Sequence, residues 1–265
     1  MTLQSLPRLD GRVAIVTGAS RGIGRNMAVA LADAGCAVVI AARSTDENPR
    51  LPGTIHAVAA RIEAAGGRAL AAACDVTSED GIAAVVATTM ERFGRIDCLI
   101  NNAGVMSLAR TEQTTLKRWE LVLRVNLTGT FLFTKAVLPV MRAQRSGSLV
   151  AITTGGVRMT DVATGGGSNA YWVSKAAIER FYAGLASELA PDGIAVNCLA
   201  PSGVVLTEGW QVASGGMQIP EEHVEAPELM GRAAVLLAAQ DARGITGRVL
   251  SSRQLAGPEP GVPRG

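Results

Sequence analysis

The sequence predicts an α/β fold: a doubly wound parallel sheet of about seven strands, with helices on both faces, in a single domain over 1–265. Three observations predict it. Short apolar runs alternate with longer helical patterns along the chain, an order that right-handed crossovers wind into a parallel sheet. The first run, Val13-Ala14-Ile15-Val16, is apolar without alternation, as a strand buried on both faces should be. Gly18, Gly22 and Gly24 follow at once, and then Met27, Ala28 and Leu31 at helical spacing. Strand, glycine turn and helix make a phosphate-binding device, because glycine lets the backbone approach a phosphate and the first helical N–H groups point at the anion.

In chain order, Gly35 ends the first helix as a C′ residue, and 37–42 (A-V-V-I-A-A) reads as the second strand. A polar loop over 44–53, with Pro49 and Pro52, leads into a helix over 54–65 that Gly66-Gly67 stops. A third strand covers 69–73 and runs into Cys74-Asp75-Val76, and Ser78 is placed to cap a helix reaching Phe93. The fourth strand, 97–100, closes on Asn101-Asn102-Ala103-Gly104. Two helical stretches follow at 115–123 and 126–144, the second so poor in charge that it should be buried or lie in a subunit contact. A fifth strand spans 148–153, Gly165-Gly166-Gly167 precedes a helix over 170–189, and 194–199 is the sixth strand. Residues 202–225 read as irregular, Pro227 opens a helix to Ala239, and 245–251 forms the last strand. Residues 1–10 and 257–265 read as loose tails.

Composition narrows the classes. Hydrophobic residues make up 48% but aromatics only 3%, which suits a sheet of Val, Ile, Leu and Ala approached closely by Ala- and Gly-rich helices. The net charge is +2 with scattered basic residues, which argues against a nucleic-acid partner. Cys36, Cys74, Cys98 and Cys198 form no C-x-x-C pair and lie in or beside apolar segments, as free thiols of a reducing compartment do. His56 and His223 lack metal-ligand spacing, so no metal is expected. Neither a signal peptide nor an apolar stretch of bilayer length is read, and the expected location is the cytoplasm, without membrane contact.

Four motifs fall on the expected elements: Thr17-Gly18-Ala19-Ser20-Arg21-Gly22-Ile23-Gly24, Asn101-Asn102-Ala103-Gly104, a helical Asn126, and Tyr171 with Lys175. Taken together they resemble T-G-x-x-x-G-x-G, N-N-A-G, the active-site asparagine and Y-x-x-x-K of the short-chain dehydrogenase/reductases, a family with a Rossmann-type fold. The loop P-R-L-P-G-T-I at 49–55 is similar to the hydroxysteroid-dehydrogenase-like and citronellol-dehydrogenase-like branch. The resemblance implies hydride transfer between a nicotinamide cofactor and an alcohol, ketone or aldehyde. Tyr171 would protonate a carbonyl oxygen or take a hydroxyl proton, and Lys175 would also hold the nicotinamide ribose. Asn126 would anchor a water in the proton relay, or act as a structural hydrogen-bonder. The tyrosine–lysine spacing has its own logic, since residues four apart share a helix face. A free phenol titrates near about 10, too high for efficient catalysis at neutrality, and a neighbouring cation lowers it. At about 4 Å and an effective dielectric of about 20 the attraction is of order 4 kcal/mol, an upper bound near three pKa units.

The chain departs from the family where a serine normally follows the fifth strand: Ile152 is followed by Thr153 and Thr154. Alignment points to Thr154 as the hydroxyl donor, with Thr153 and Ser168 as alternatives. For the cofactor, NAD-specific proteins place an acid at the end of the second strand. Here Ala42 and Arg43 stand there, with Arg21 in the glycine loop beside them. Two guanidiniums suit a 2′-phosphate, so NADP(H) is favoured over NAD(H). By resemblance the cofactor contacts are Gly18, Ser20, Arg21, Gly22, Ile23, Gly24, Arg43, Asp75, Val76, Asn102, Ala103, Gly104, Tyr171, Lys175, Pro201, Gly203 and Val204. At the last three the family's P-G-apolar-Thr becomes Pro201-Ser202-Gly203-Val204-Val205-Leu206-Thr207, which leaves the nicotinamide and pyrophosphate contacts there open.

The expected substrate wall combines Val105, Met106, residues 155–168, Trp172 and residues 202–225. The last segment contains Trp210, Val212, Met217 and Ile219 but no Arg or Lys, so a neutral, mainly apolar alcohol or ketone fits, of terpenoid, steroid-like or acyl type. The resemblance also implies a homodimer or homotetramer packed through the helices bearing Asn126 and Ala170 and through the C-terminal strand. Two other readings share the fold: a nicotinamide-binding sensor with little turnover, and an epimerase or dehydratase that recycles its cofactor.

Overall fold

The computed structural model describes residues 6–158 and 168–257. Its first half alternates β1 (Val13–Thr17), α1 (Gly22–Asp33), β2 (Ala37–Ala42), α2 (Ile55–Ala64), β3 (Arg68–Ala73), α3 (Glu79–Phe93) and β4 (Cys98–Asn101). The second half contains α4 (Leu116–Leu123), α5 (Gly129–Gln144), β5 (Gly147–Ile152), α6 (Asn169–Leu189) and β6 (Ile194–Ala200). It closes with α7 (Glu208–Ser214), α8 (Pro227–Ala238), β7 (Arg248–Ser251) and α9 (Ser252–Ala256). The strands form one parallel seven-stranded sheet in the order β3-β2-β1-β4-β5-β6-β7. The order reverses between β1 and β4, and open parallel sheets take ligands in the crevice above the carboxyl ends at such a point.

Successive strand side chains point to opposite faces. Ala14 and Val16 therefore pack with Val38, Ile40 and Met27 on one face, while Ile15 packs with Val39, Leu99 and Phe133 on the other. Every residue of β1 and β2 is buried, the reason both read as unbroken apolar runs. Thr54 and Ser78 cap α2 and α3 by accepting from Ala57 N and Gly81 N.

Several expectations need correction. The helical stretches at 115–123 and 126–144 run as one helix, joined by a π-helical turn over Arg124–Thr128. That turn accommodates one extra residue and carries Asn126. The continuous helix Leu116–Gln144 has 29 residues and is long and apolar enough to cross a membrane by length and composition, contrary to the expectation. Its Phe133, Val137 and Met141 are buried in the core of this fold. Residues 202–225 are not wholly irregular, since Thr207 caps α7 by accepting from Trp210 N. Residues 6–10 are not a loose tail: Leu9 is buried and its N–H donates to Ala34 O at 2.7 Å. Residues 1–5 and 258–265 of the expected tails lie outside the described residues.

Candidate functional site

The site starts from the glycine turn between β1 and α1. Gly18 and Gly22 have φ of 64° and 56°, in the left-handed region that favours glycine. A Cβ on Gly24 would stand 2.5 Å from both Gly18 O and Asn102 Nδ2, so α1 can lie against the loop only with glycine there. The N-N-A-G turn buttresses this loop from β4. Asn102 Nδ2 donates to Thr17 O at 2.9 Å and Gly18 O at 3.2 Å, and the Asn102 and Ala103 N–H groups donate to Thr17 Oγ1 at 3.0 Å. Gly104 packs on Asn126, Ser20 is buried, and Ile23 lies against the core.

The N-terminus of α1 is built for an anion. Its N-cap residue is Arg21, whose side chain makes no cap bond, and its first turn, Gly22-Ile23-Gly24-Arg25, carries no acid. Helix N-terminal N–H groups and the helix dipole favour negative charge. A carboxylate does bind there: Gly22 N donates to Glu208 Oε2 at 3.1 Å, and Arg25 Nη1 lies 3.1 Å from Glu208 Oε1. This donor set fits the diphosphate of a dinucleotide.

The two arginines at the second-strand end are not equivalent, which corrects the expectation of a guanidinium pair. Arg21 donates to Pro52 O, Gly53 O and Ser44 Oγ at 3.1, 2.8 and 2.9 Å, pinning the β2–α2 loop over the glycine turn. Arg43 stays largely exposed, 3.9 Å from Asp75. Asp75 accepts from Thr77 N and Thr77 Oγ1, and the first of these bonds does most to hold its carboxyl below the usual range. Val76 is buried against Gly129.

Tyr171 and Lys175 lie one turn apart on α6, as their spacing predicts. The ammonium sits 5.6 Å from the centroid of the phenol ring, a cation–π distance. Lys175 is buried, and its Nζ donates to Ile152 O at 2.7 Å, at the carboxyl end of β5. The direction of the tyrosine shift corrects the expectation. Burial pushes the Tyr171 phenol up to about 12 and pulls the Lys175 ammonium down to about 8, so each group moves toward its neutral form.

Asn126 is fully buried. Its Oδ1 accepts from Val105 N at 2.8 Å, and its Nδ2 donates to Val105 O and to Ser174 Oγ at 3.1 and 2.9 Å. These bonds clamp the loop after β4 to α6. Thr153 donates to Glu179 Oε1 at 2.7 Å and so faces α6. Thr154 is partly buried and its Oγ1 accepts from Gly156 N at 3.3 Å. Ser168, at φ 68°, is the N-cap residue of α6 without a side-chain cap bond. Trp172 packs on Gly156. Residues 159–167 of the expected substrate wall lie outside the described residues.

After β6, Ser202 N and Gly203 N donate to Glu225 Oε2 at 2.7 and 3.2 Å, and Val204 N donates to His223 O at 2.7 Å. A Cβ on Gly203 would lie 2.7 Å from His223 O, which explains a glycine one place beyond the family's position, two after Pro201. Thr17, Ser44, Ser174, Glu208 and Glu225 thus serve the site without having been singled out by spacing. Thr17 opens the glycine motif and could have been found, whereas the others take partners from distant elements.

Comparison with known proteins agrees with this geometry. The family model described as "short chain dehydrogenase" matches residues 12–215. Hydroxysteroid dehydrogenase-like protein 2 of Danio rerio is 37% identical over 213 residues, 80% of this chain and 51% of that protein. The chain spans about half the length of the curated relatives it matches. A short chain dehydrogenase from Mycobacterium thermoresistibile superposes with a TM-score of 0.83 at 32% identity, covering 93% of this chain and 86% of that one. A candidate NAD(P)-dependent gluconate 5-dehydrogenase from Beutenbergia cavernae, holding NADP at low occupancy, superposes at 0.80 with 34% identity, covering 92% and 96%. With the glycine turn, the N-N-A-G buttress and the tyrosine–lysine pair gathered at one end of the sheet, the chain belongs to the short-chain dehydrogenase/reductase family.

Proposed function

We propose that the chain is an oxidoreductase that moves a hydride between NADP(H) and a neutral, mainly apolar alcohol, ketone or aldehyde, with Tyr171 as acid and base. One observation carries this reading: Tyr171 and a buried Lys175 share a face of α6, with the ammonium held at the end of β5. The NADP in the Beutenbergia cavernae relative supports the choice of cofactor. The α1 N-terminus would hold the diphosphate, Asp75 and Val76 the adenine, Arg43 a 2′-phosphate and Lys175 the nicotinamide ribose. The bound nicotinamide supplies or accepts the hydride.

The Tyr171 phenol, which burial pushes up from its ordinary value, carries its proton at neutral pH, the acid form that reduction requires. As its proton passes to the substrate oxygen, the Lys175 ammonium over the ring stabilises the phenolate. Thr154 accepts from Gly156 N, so its own O–H is left to donate to the same substrate oxygen. Asn126 positions the Val105 loop and Ser174 behind the tyrosine. Residues 202–225 contain four glutamates and no Arg or Lys, which favours a neutral substrate over an anionic one.

The test is a panel of ketones and alcohols assayed with NADPH and NADH, for wild type and Tyr171→Phe. The variant should bind cofactor nearly as wild type does and lose turnover by roughly 10²–10⁴-fold. Equal turnover in the two proteins would remove Tyr171 from the chemistry, and tight NADPH binding without turnover in wild type would favour a sensor. We also propose that copies pair across α5 and α6, where Phe131 and Val173 are exposed. Light scattering giving a monomer would refute that pairing. A cytoplasmic location is proposed on the buried free thiols of Cys36, Cys74 and Cys98, with a fluorescent fusion as its check.

A further inference from the structure

We propose that Glu208 is an internal occupant of the diphosphate position: it ties α7 across the glycine turn in the free protein, and an incoming dinucleotide releases α7 by displacing it. The proposal rests on the reading of the α1 N-terminus as the diphosphate end of a dinucleotide site.

Both oxygens of this carboxylate are engaged on the first turn of α1. Gly22 N donates to Oε2, and Arg25 Nη1 reaches Oε1, each at 3.1 Å. The partner comes from 186 residues further along the chain, while α1 offers neither an N-cap bond from Arg21 nor an acid in its own first turn. Glycine at 22 permits the approach, since a Cβ there would stand 3.2 Å from Thr207 Cβ and Cγ2. One N–H group cannot serve a carboxylate and a diphosphate in the same place. The diphosphate has more charge and more acceptor oxygens, so it wins the exchange at a helix N-terminus.

A second, independent observation concerns how α7 is held. Four buried side-chain polar atoms lack hydrogen-bond partners among the described residues, and three of them are Arg25 Nε, Trp210 Nε1 and Ser214 Oγ. Two lie on α7 itself and the third on its ion-pair partner. Buried polar atoms without partners weaken the packing that encloses them. No residue of α7 is fully buried, and Leu206, Val212 and Met217 are exposed. The helix is therefore fastened by the Glu208 contacts more than by an apolar face. Glu208 is a positioning residue: its displacement frees an apolar segment beside the crevice only after the cofactor has entered.

The test combines calorimetric titration of NADP⁺ with amide exchange of residues 207–217, for wild type, Glu208→Gln and Glu208→Ala. Both variants should bind NADP⁺ about tenfold more tightly than wild type. In wild type, NADP⁺ or inorganic pyrophosphate should speed exchange across α7, and in the free glutamine variant exchange should already be fast. Unchanged Kd values, with α7 exchange indifferent to ligand while wild type binds NADP⁺, would overturn the proposal and leave the cofactor reading standing. If no protein binds NADP⁺ or pyrophosphate, the cofactor reading falls and the proposal with it.

Discussion

Replacing Lys175 by methionine should make the fold more stable while abolishing turnover. The side chain is 3% exposed, and burial pulls its ammonium from 10.5 down to about 8. A fall of about 2.5, at ~1.36 kcal/mol per unit, means that keeping this lysine charged in the folded state at pH 7 costs about 3 kcal/mol. Against that, the ammonium donates to Ile152 O at 2.7 Å, and a buried carbonyl left without its donor forfeits about 1–3 kcal/mol. Methionine fills the space with an adaptable apolar chain. The expected net gain is about 0–2 kcal/mol, or up to roughly 8 °C in Tm. The sign with pH follows from linkage. An unfolded lysine keeps its proton to about 10.4, whereas the folded one releases it near 8. Between those values the unfolded state binds more protons, so wild-type stability rises with pH, and the methionine variant lacks that rise. Urea unfolding at pH 7 and at pH 9.5 reads both effects. The reasoning is refuted if the variant is less stable at pH 7, or if its advantage does not shrink at the higher pH.

Two further predictions use paired variants. Arg43→Ala should weaken NADPH by roughly 10- to 100-fold and leave NADH within about twofold, since a charge-assisted bond to a 2′-phosphate is lost. Arg21→Ala should weaken both cofactors alike, because its guanidinium holds Pro52, Gly53 and Ser44. Fluorescence titration separates these cases, and an equal response of both cofactors to Arg43→Ala would overturn the NADP(H) assignment. Thr154→Ala should lower kcat by about tenfold or more with Tm near wild type. Thr153→Ala should do the reverse, losing about 1–2 kcal/mol with the bond to Glu179 and keeping kcat, and steady-state rates beside thermal melts decide between them.

β1 and β2 were legible because both faces of each are buried, so the local pattern carries the whole of their environment. The start of β7 was not. It was expected at 245, but Asn197 reaches sideways to bond Ile245 O and Arg248 N, and the strand begins only at Arg248. The π-helical turn has the same kind of cause: Asn126 is held inward by Val105 and Ser174, from two other elements. α7 is seven residues long with none fully buried, so it lacks the apolar face that a helical pattern needs. Its position depends on a carboxylate meeting an N–H group 186 residues away.

The candidate site divides along the same line. The glycine turn and the tyrosine–lysine pair were legible because local geometry alone decides them: a left-handed φ at Gly18 and Gly22, and a shared helix face four residues apart. The electrostatics of the pair was not, because spacing fixes proximity and leaves the dielectric open. An ammonium 5.6 Å from the ring centroid favours the phenolate. Yet the charge lies over the ring and is bonded to the Ile152 carbonyl, and burial acts on both partners. Burial opposes charge of either sign, so it drives tyrosine up and lysine down together. The pair therefore begins its chemistry with the phenol protonated. From that starting state, donating a proton to a carbonyl needs no prior ionisation, whereas taking one from an alcohol does. The titration of the pair thus depends on the surroundings that the packed fold gives α6, and not on the four-residue interval alone.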